Sequence, residues 1–168
     1  MSSAEWLEFR PASLLRRLVS GGVDFVVVGG LAAVVHGSAA ITRDLDITYA
    51  PDAENLERLS QAMVGLDARL RGVTDDVPFV PDGPTLRRTR MLTLTTPDGA
   101  IDLLAQPDGS PSYDRLRERA WRTELAGLTV LVASLDDLIA MKKAAGRPKD
   151  LVAVEELEAI KRLQRELG

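Results

Sequence analysis

An α/β fold, with a mixed β-sheet flanked by helices, is predicted by three features of the sequence. Residues 25–28 form an uninterrupted run of Phe and Val, the signature of a strand buried on both faces. Residues 91–104 alternate, turn at Pro97-Asp98-Gly99 and return, which is the pattern of a hairpin. Between and after these runs lie segments with apolar residues at helical spacing. A chain of 168 residues is long enough to bury its own core, and no repeat or low-complexity linker divides it. One domain over residues 1–168 is therefore expected, with helices in 134–168 packing on its core.

The elements follow in order. Arg10-Pro11-Ala12-Ser13 leads into a helix with Leu14, Leu15 and Leu18 on one side, stopped by Gly21-Gly22. The strand at 25–28 ends at Gly29-Gly30, and residues 31–35 offer a short apolar helix. After His36-Gly37-Ser38 the chain reaches Thr42-Arg43-Asp44-Leu45-Asp46-Ile47, a strand whose alternation puts both aspartates on one face. Pro51-Asp52 starts a helix carrying Leu56, Leu59, Met63 and Leu66. Residues 71–84 are rich in Gly, Pro and Asp, with Phe79 and Val80 as the notable apolar pair, and read as an irregular loop or partial lid. Beyond the hairpin, residues 113–121 read as a charged amphipathic helix, 125–128 as a turn and 129–132 as a strand. Ser134 is placed to cap a helix that runs to Lys142 and Lys143 and breaks at Gly146. Pro148 opens the last helix, with a stripe of Leu151, Val154, Leu157, Ile160 and Leu163.

Composition narrows the function. With 45% hydrophobic and 27% charged residues the chain has the balance of a soluble globular protein, and no apolar run approaches the roughly 20 residues of a membrane span. No membrane association is expected. The N-terminal residues include acids and lack the apolar core of a signal peptide, so export by that route is not expected. Absence of cysteine rules out disulfides and thiolate metal ligands and is compatible with a reducing compartment; the expected location is the cytoplasm. A net charge of −4 gives no global attraction to nucleic acid, leaving only a local basic face for that purpose.

The chemistry concentrates in residues 24–49. Two successive glycines let the backbone turn sharply and let a ligand approach it, and the helix that follows points its first N–H groups back at that turn, where a phosphate can sit. Asp44 and Asp46 on one strand face repel each other, and a hard cation such as magnesium relieves the repulsion. Asp102 stands between Ile101 and Leu103 in the returning strand of the hairpin. A buried carboxylate needs a partner, either an ion pair at the sheet surface or a shared metal with Asp44 and Asp46.

This order of apolar strand, Gly29-Gly30, short helix, His36-Gly37, Thr42 and Asp44-Leu45-Asp46 resembles the polymerase-β-type nucleotidyltransferase superfamily. Within it, the chain is most similar to the small nucleotidyltransferases grouped with abortive-infection and type IV toxin–antitoxin toxins, and Lys142, Lys143, Gly146, Arg147, Lys149 and Asp150 resemble that group's C-terminal basic motif. The resemblance implies a nucleotidyltransferase-like fold and a metal-dependent enzyme that moves a nucleoside monophosphate from a nucleoside triphosphate to a hydroxyl on RNA, such as tRNA, or on protein. It implies Asp44, Asp46 and Asp102 as catalytic metal ligands for Mg2+ or Mn2+, and Gly29, Gly30, Ser38, Arg43, Lys142, Lys143, Arg147 and Lys149 as nucleotide contacts. A separate antitoxin would be the regulatory partner.

Each residue also has a plainer reading. Arg43 serves a phosphate or pairs with a neighbouring carboxylate; His36 reads as a packed, hydrogen-bonded residue rather than a base or ligand. Lys142 and Lys143 suit a solvated helix end, and Arg147, Lys149 and Asp150 suit an ion network locking two helices. Arg87, Arg88 and Arg90 form a second basic cluster, an acceptor edge or ordinary surface. The chain also departs from the resemblance: Gly29-Gly30 stands where Gly-Ser is common, Ala39-Ala40 where an arginine is common, and Val152-Ala153 where a further acid is common. These departures motivate an alternative, a catalytically inactive nucleotide-binding or partner-binding module. Small-molecule nucleotidylation of the aminoglycoside-modifying kind ranks lower because no separate large substrate domain is apparent.

Overall fold

The computed structural model describes residues 9–72 and 82–168. Seven strands form one mixed sheet in the order β3-β4-β5-β2-β1-β7-β6, with β1 at Phe25–Val28, β2 at Asp44–Tyr49, β3 at Arg69–Leu70, β4 at Met91–Thr96, β5 at Gly99–Leu104, β6 at Trp121–Leu125 and β7 at Leu128–Val132. The helices are α1 (Pro11–Ser20), α2 (Gly29–His36), α3 (Ala53–Gly65), α4 (Gly83–Arg88), α5 (Tyr113–Arg119), α6 (Leu135–Ala145) and α7 (Pro148–Leu167). The α/β class and mixed sheet agree with the expectation from sequence.

All four residues of β1 are buried, as an apolar run inside a sheet requires. It pairs antiparallel with β2 and parallel with β7, while β2 pairs parallel with β5, so β2 lies between β1 and β5. Along β2, Leu45 and Ile47 are fully buried in the core with Leu14, Leu18, Leu59 and Met63 from α1 and α3. Asn55 of α3 secures the start of β1: its side chain accepts from the N–H of Asp24 at 2.7 Å and donates to the carbonyls of Asp24 and Ala50. Leu135, Leu138 and Ile139 of α6 and Val154 and Leu157 of α7 complete the core. Ser134 caps α6, its hydroxyl accepting from the N–H of Asp137 at 3.1 Å.

Two expectations are corrected. The helix expected over 113–121 stops at Arg119, and Trp121 opens strand β6. Ala120 is already extended (φ −64°, ψ 149°), and β6 pairs antiparallel with β7 through a turn in which Ala126 and Gly127 both have positive φ. The edge position of β6 leaves most of it solvated, so it lacks the apolar alternation that marks a strand. The stretch expected to be an irregular loop over 71–84 overlaps helix α4, whose cap is Asp82 accepting from the N–H of Thr85 at 2.8 Å. Phe79 and Val80 lie outside the described residues.

Candidate active site

The parallel pairing of β2 and β5 sets Asp46 directly opposite Asp102, with Asp44 two residues before Asp46 on the same strand face. One carboxylate oxygen from each of the three lies within 4.8 Å of the others. Neighbouring strands stand about 4.8 Å apart, so this convergence is the direct product of register. Asp46 has a buried oxygen, Oδ1, with no hydrogen-bond partner among the described residues. Burial, then the adjacent Asp102 and Asp44 carboxylates, push the Asp46 carboxyl up to about 7, with Lys142 pulling the other way.

Two glycines make room for this cluster. Gly29 has φ +67°, and a Cβ there would stand 2.0 Å from Oδ2 of Asp46. A Cβ on Gly30 would stand 2.8 Å from Oγ1 of Thr42, whose hydroxyl donates to the carbonyl of Asp44 at 3.1 Å. The serine missing from position 30 therefore has no space: Thr42 fills it. Helix α2 begins at Gly29 after Val28, which cannot cap it, and among the described residues no side chain bonds to the N–H groups of its first turn.

A cationic wall comes from the α6–α7 corner. Asp150 is buried; it accepts from the backbone N–H of Arg147 at 3.2 Å and from its Nε at 2.6 Å, and Lys142 Nζ lies 3.5 Å away. The Arg147 guanidinium holds the Asp150 carboxyl down at about 2. Lys142, Arg147 and Lys149 border an open cleft of about 770 Å³ together with Gly30, Arg43, Asp44, Asp46 and Asp102. Exposed Ile41 and Met91 add an apolar lip to it.

Three expected residues are placed differently. Ser38 is buried and its hydroxyl donates to Oε1 of Glu156 on α7, while Lys143 pairs with Glu158 at 3.6 Å; neither borders the cleft. Gly29 does not border the cleft either; it lies against Asp46. His36 packs on Trp121 with ring centroids 4.2 Å apart, its Nε2 is 2.8 Å from the carbonyl of Ala133, and burial lowers its pKa. That is the packed role read from its sequence context. Sequence reasoning missed Arg71, whose Nη2 donates to Oδ1 of Asp102 at 2.8 Å. Its context, Arg71-Gly72 in a Gly- and Asp-rich stretch, carries no periodic signal, and its partner is 31 residues away.

Comparison with known proteins bears on this geometry. A family model described as nucleotidyltransferase of unknown function (DUF6036) matches residues 14–167. The chain belongs to this family. Solved structures share its fold. A lincomycin-bound lincosamide antibiotic adenylyltransferase, LnuA, matches with TM-score 0.59 at 15% identity, over 88% of this chain and 94% of that one. The antibiotic-resistance factor ANT(2'')-Ia matches with TM-score 0.53 at 14% identity, over 93% and 91%. A putative nucleotidyltransferase from Thermotoga maritima matches with TM-score 0.51 at 18% identity, over 92% and 89%. A comparison with curated proteins finds no match. The toxin and abortive-infection grouping is not among these findings. Among the described residues no helix is long and apolar enough to cross a membrane.

Proposed function

We propose that the protein is a divalent-metal-dependent nucleotidyltransferase that transfers a nucleoside monophosphate from a nucleoside triphosphate to an acceptor hydroxyl, with Asp44, Asp46 and Asp102 as its catalytic carboxylates. The observation that carries the reading is the convergence of those three carboxylates beside the uncapped N-terminus of α2. The donor set fits Mg2+ or Mn2+: all ligands are hard oxygens, and one buried oxygen of Asp46 has no partner among the described residues. When bound, such a cation neutralises triphosphate charge and lowers the pKa of the acceptor hydroxyl.

The chain's own residues do the rest. The first N–H groups of α2 bind phosphate oxygens, aided by the helix dipole. Lys142, Arg147 and Lys149 offset charge on the leaving pyrophosphate, and Asp150 keeps Lys142 and Arg147 at the cleft edge. Arg43 faces the same cleft and contacts the nucleotide. The acceptor oxygen bonds to the α-phosphorus, pyrophosphate departs, and the hydroxyl proton leaves towards Asp102.

The acceptor we favour is a hydroxyl on RNA or protein, in a toxin-like role restrained by a separate antitoxin in the cytoplasm. Support comes from Lys142, Arg147 and Lys149 of the C-terminal basic motif, which line the cleft; Arg87 and Arg88 line a separate hollow beside α3 and Arg90 pairs with Asp108. A second reading, a small-molecule acceptor, is favoured by the apolar lip of Ile41 and Met91. Purified protein incubated with each α-labelled nucleoside triphosphate, Mg2+ or Mn2+, and total RNA, total protein or a hydroxylated small-molecule panel separates these readings. Label lost in the Asp44→Ala/Asp46→Ala variant supports transfer and names the acceptor. Metal-dependent nucleotide binding with no pyrophosphate release under any acceptor replaces the enzyme with the inactive binding module.

A further inference from the structure

Arg71 follows directly on β3 and is tied to β4 twice. Its backbone N–H donates to the carbonyl of Thr93 at 3.0 Å, and its Nη2 donates to the carbonyl of Leu94 at 3.2 Å. The same Nη2 donates to Oδ1 of Asp102 at 2.8 Å, where the carboxylate is only 16% exposed. Among the described residues neither Asp44 nor Asp46 has an ion-pair partner, and with Lys142 acting on Asp46 only at longer range Arg71 is the cation in direct contact with the cluster. A guanidinium is permanently charged and donates in a fixed fork, which makes it an effective stand-in for a metal ion on a carboxylate.

Resting on the nucleotidyltransferase reading above, we infer that Arg71 is a resident counter-ion of the metal centre: it neutralises Asp102 in the ion-free protein and its charge opposes the binding of cations there. The reason is electrostatic. A guanidinium on Asp102 repels any cation that Asp102 shares with Asp46 and Asp44. The protein thereby spares itself a cluster of three mutually repelling carboxylates, at the expense of metal affinity.

The test is a titration of Mn2+ alone, without nucleotide, followed by the electron paramagnetic resonance signal of free Mn2+. Wild type is compared with Arg71→Met, which removes the charge, Arg71→Gln, which keeps a donor for Leu94, and Arg71→Lys, which keeps the charge. Both neutral variants are expected to bind Mn2+ at least about threefold more tightly than wild type, and Arg71→Lys to bind like wild type. Adding Asp102→Asn to Arg71→Met is expected to abolish the gain. Equal or weaker Mn2+ binding by a folded neutral variant overturns the counter-ion role while leaving the metal centre standing. Mn2+ bound by no protein in the series overturns the counter-ion role, while the metal reading of the carboxylates then stands or falls on loss of transfer in EDTA and its return with Mn2+.

Discussion

A Cβ on Gly29 would stand 2.0 Å from Oδ2 of Asp46, so the glycine and the carboxylate divide one small volume between them. At φ +67° the position also lies in the left-handed region that side chains disfavour. Gly29 is therefore required twice over, for the turn from β1 into α2 and for the seat of Asp46. Gly29→Ala is expected to cost roughly 1–3 kcal/mol of stability through backbone strain and to cut nucleotidyl transfer by at least about 100-fold, because Asp46 must move. Thermal melting and α-labelled transfer assays measure the two effects; a folded Gly29→Ala variant of full activity would show that Asp46 tolerates displacement.

The carboxylates themselves should be indispensable to chemistry and dispensable to folding. Asp44→Ala, and separately Asp102→Asn, are expected to lower transfer by at least about 100-fold, since several kcal/mol of charge stabilisation depend on metal held there. Circular dichroism should show an unchanged fold. Activity retained in both variants would remove the cluster from the mechanism.

Chelation gives an independent check. Dialysis against EDTA should abolish transfer, and Mn2+ or Mg2+ should restore it, whereas Zn2+ should restore it poorly because the ligands are all carboxylate oxygens. Activity that survives exhaustive chelation would exclude a metal-dependent reaction.

Asp46 makes stability depend on pH. Its carboxyl is pushed up from 3.8 to about 7, so between those values the native state holds a proton that the unfolded chain has released. Stability of the metal-free protein should therefore fall as pH rises from 4 to 7, by no more than roughly 4 kcal/mol from this group. Asp46→Asn should melt at a higher temperature than wild type at pH 8 in EDTA, with the difference closing towards pH 4. If wild type and Asp46→Asn keep the same gap at both values, the carboxyl titrates alike in the native and unfolded chains and burial does not raise it.

Helix α7 contributes to the core through Leu157, which is 1% exposed. Leu157→Ala is expected to destabilise the protein by about 2–5 kcal/mol, the usual cost of a large-to-small change in a packed interior. Urea denaturation monitored by tryptophan fluorescence measures it. A loss below about 1 kcal/mol would mean that the helix docks only loosely on the sheet.

What the sequence determined by itself was local. Burial of β1 was legible because Phe25–Val28 is apolar at every position, and the aspartate face of β2 because strand side chains alternate. The β4–β5 hairpin was legible from its turn residues, and α1, α3, α6 and α7 from their helical stripes. Strand β6 was hidden because an edge strand lacks an apolar face, and α4 because Gly83-Pro84 reads as loop. Other features depended on residues far apart in the chain. Parallel register set Asp102 opposite Asp46, the fold carried Arg71 to Asp102 across 31 positions, and it carried Ser38 to Glu156 across 118, away from the cleft. Periodicity encodes which face of an element is buried, but pairing and packing decide which distant side chain meets it, and only the tertiary structure holds that information.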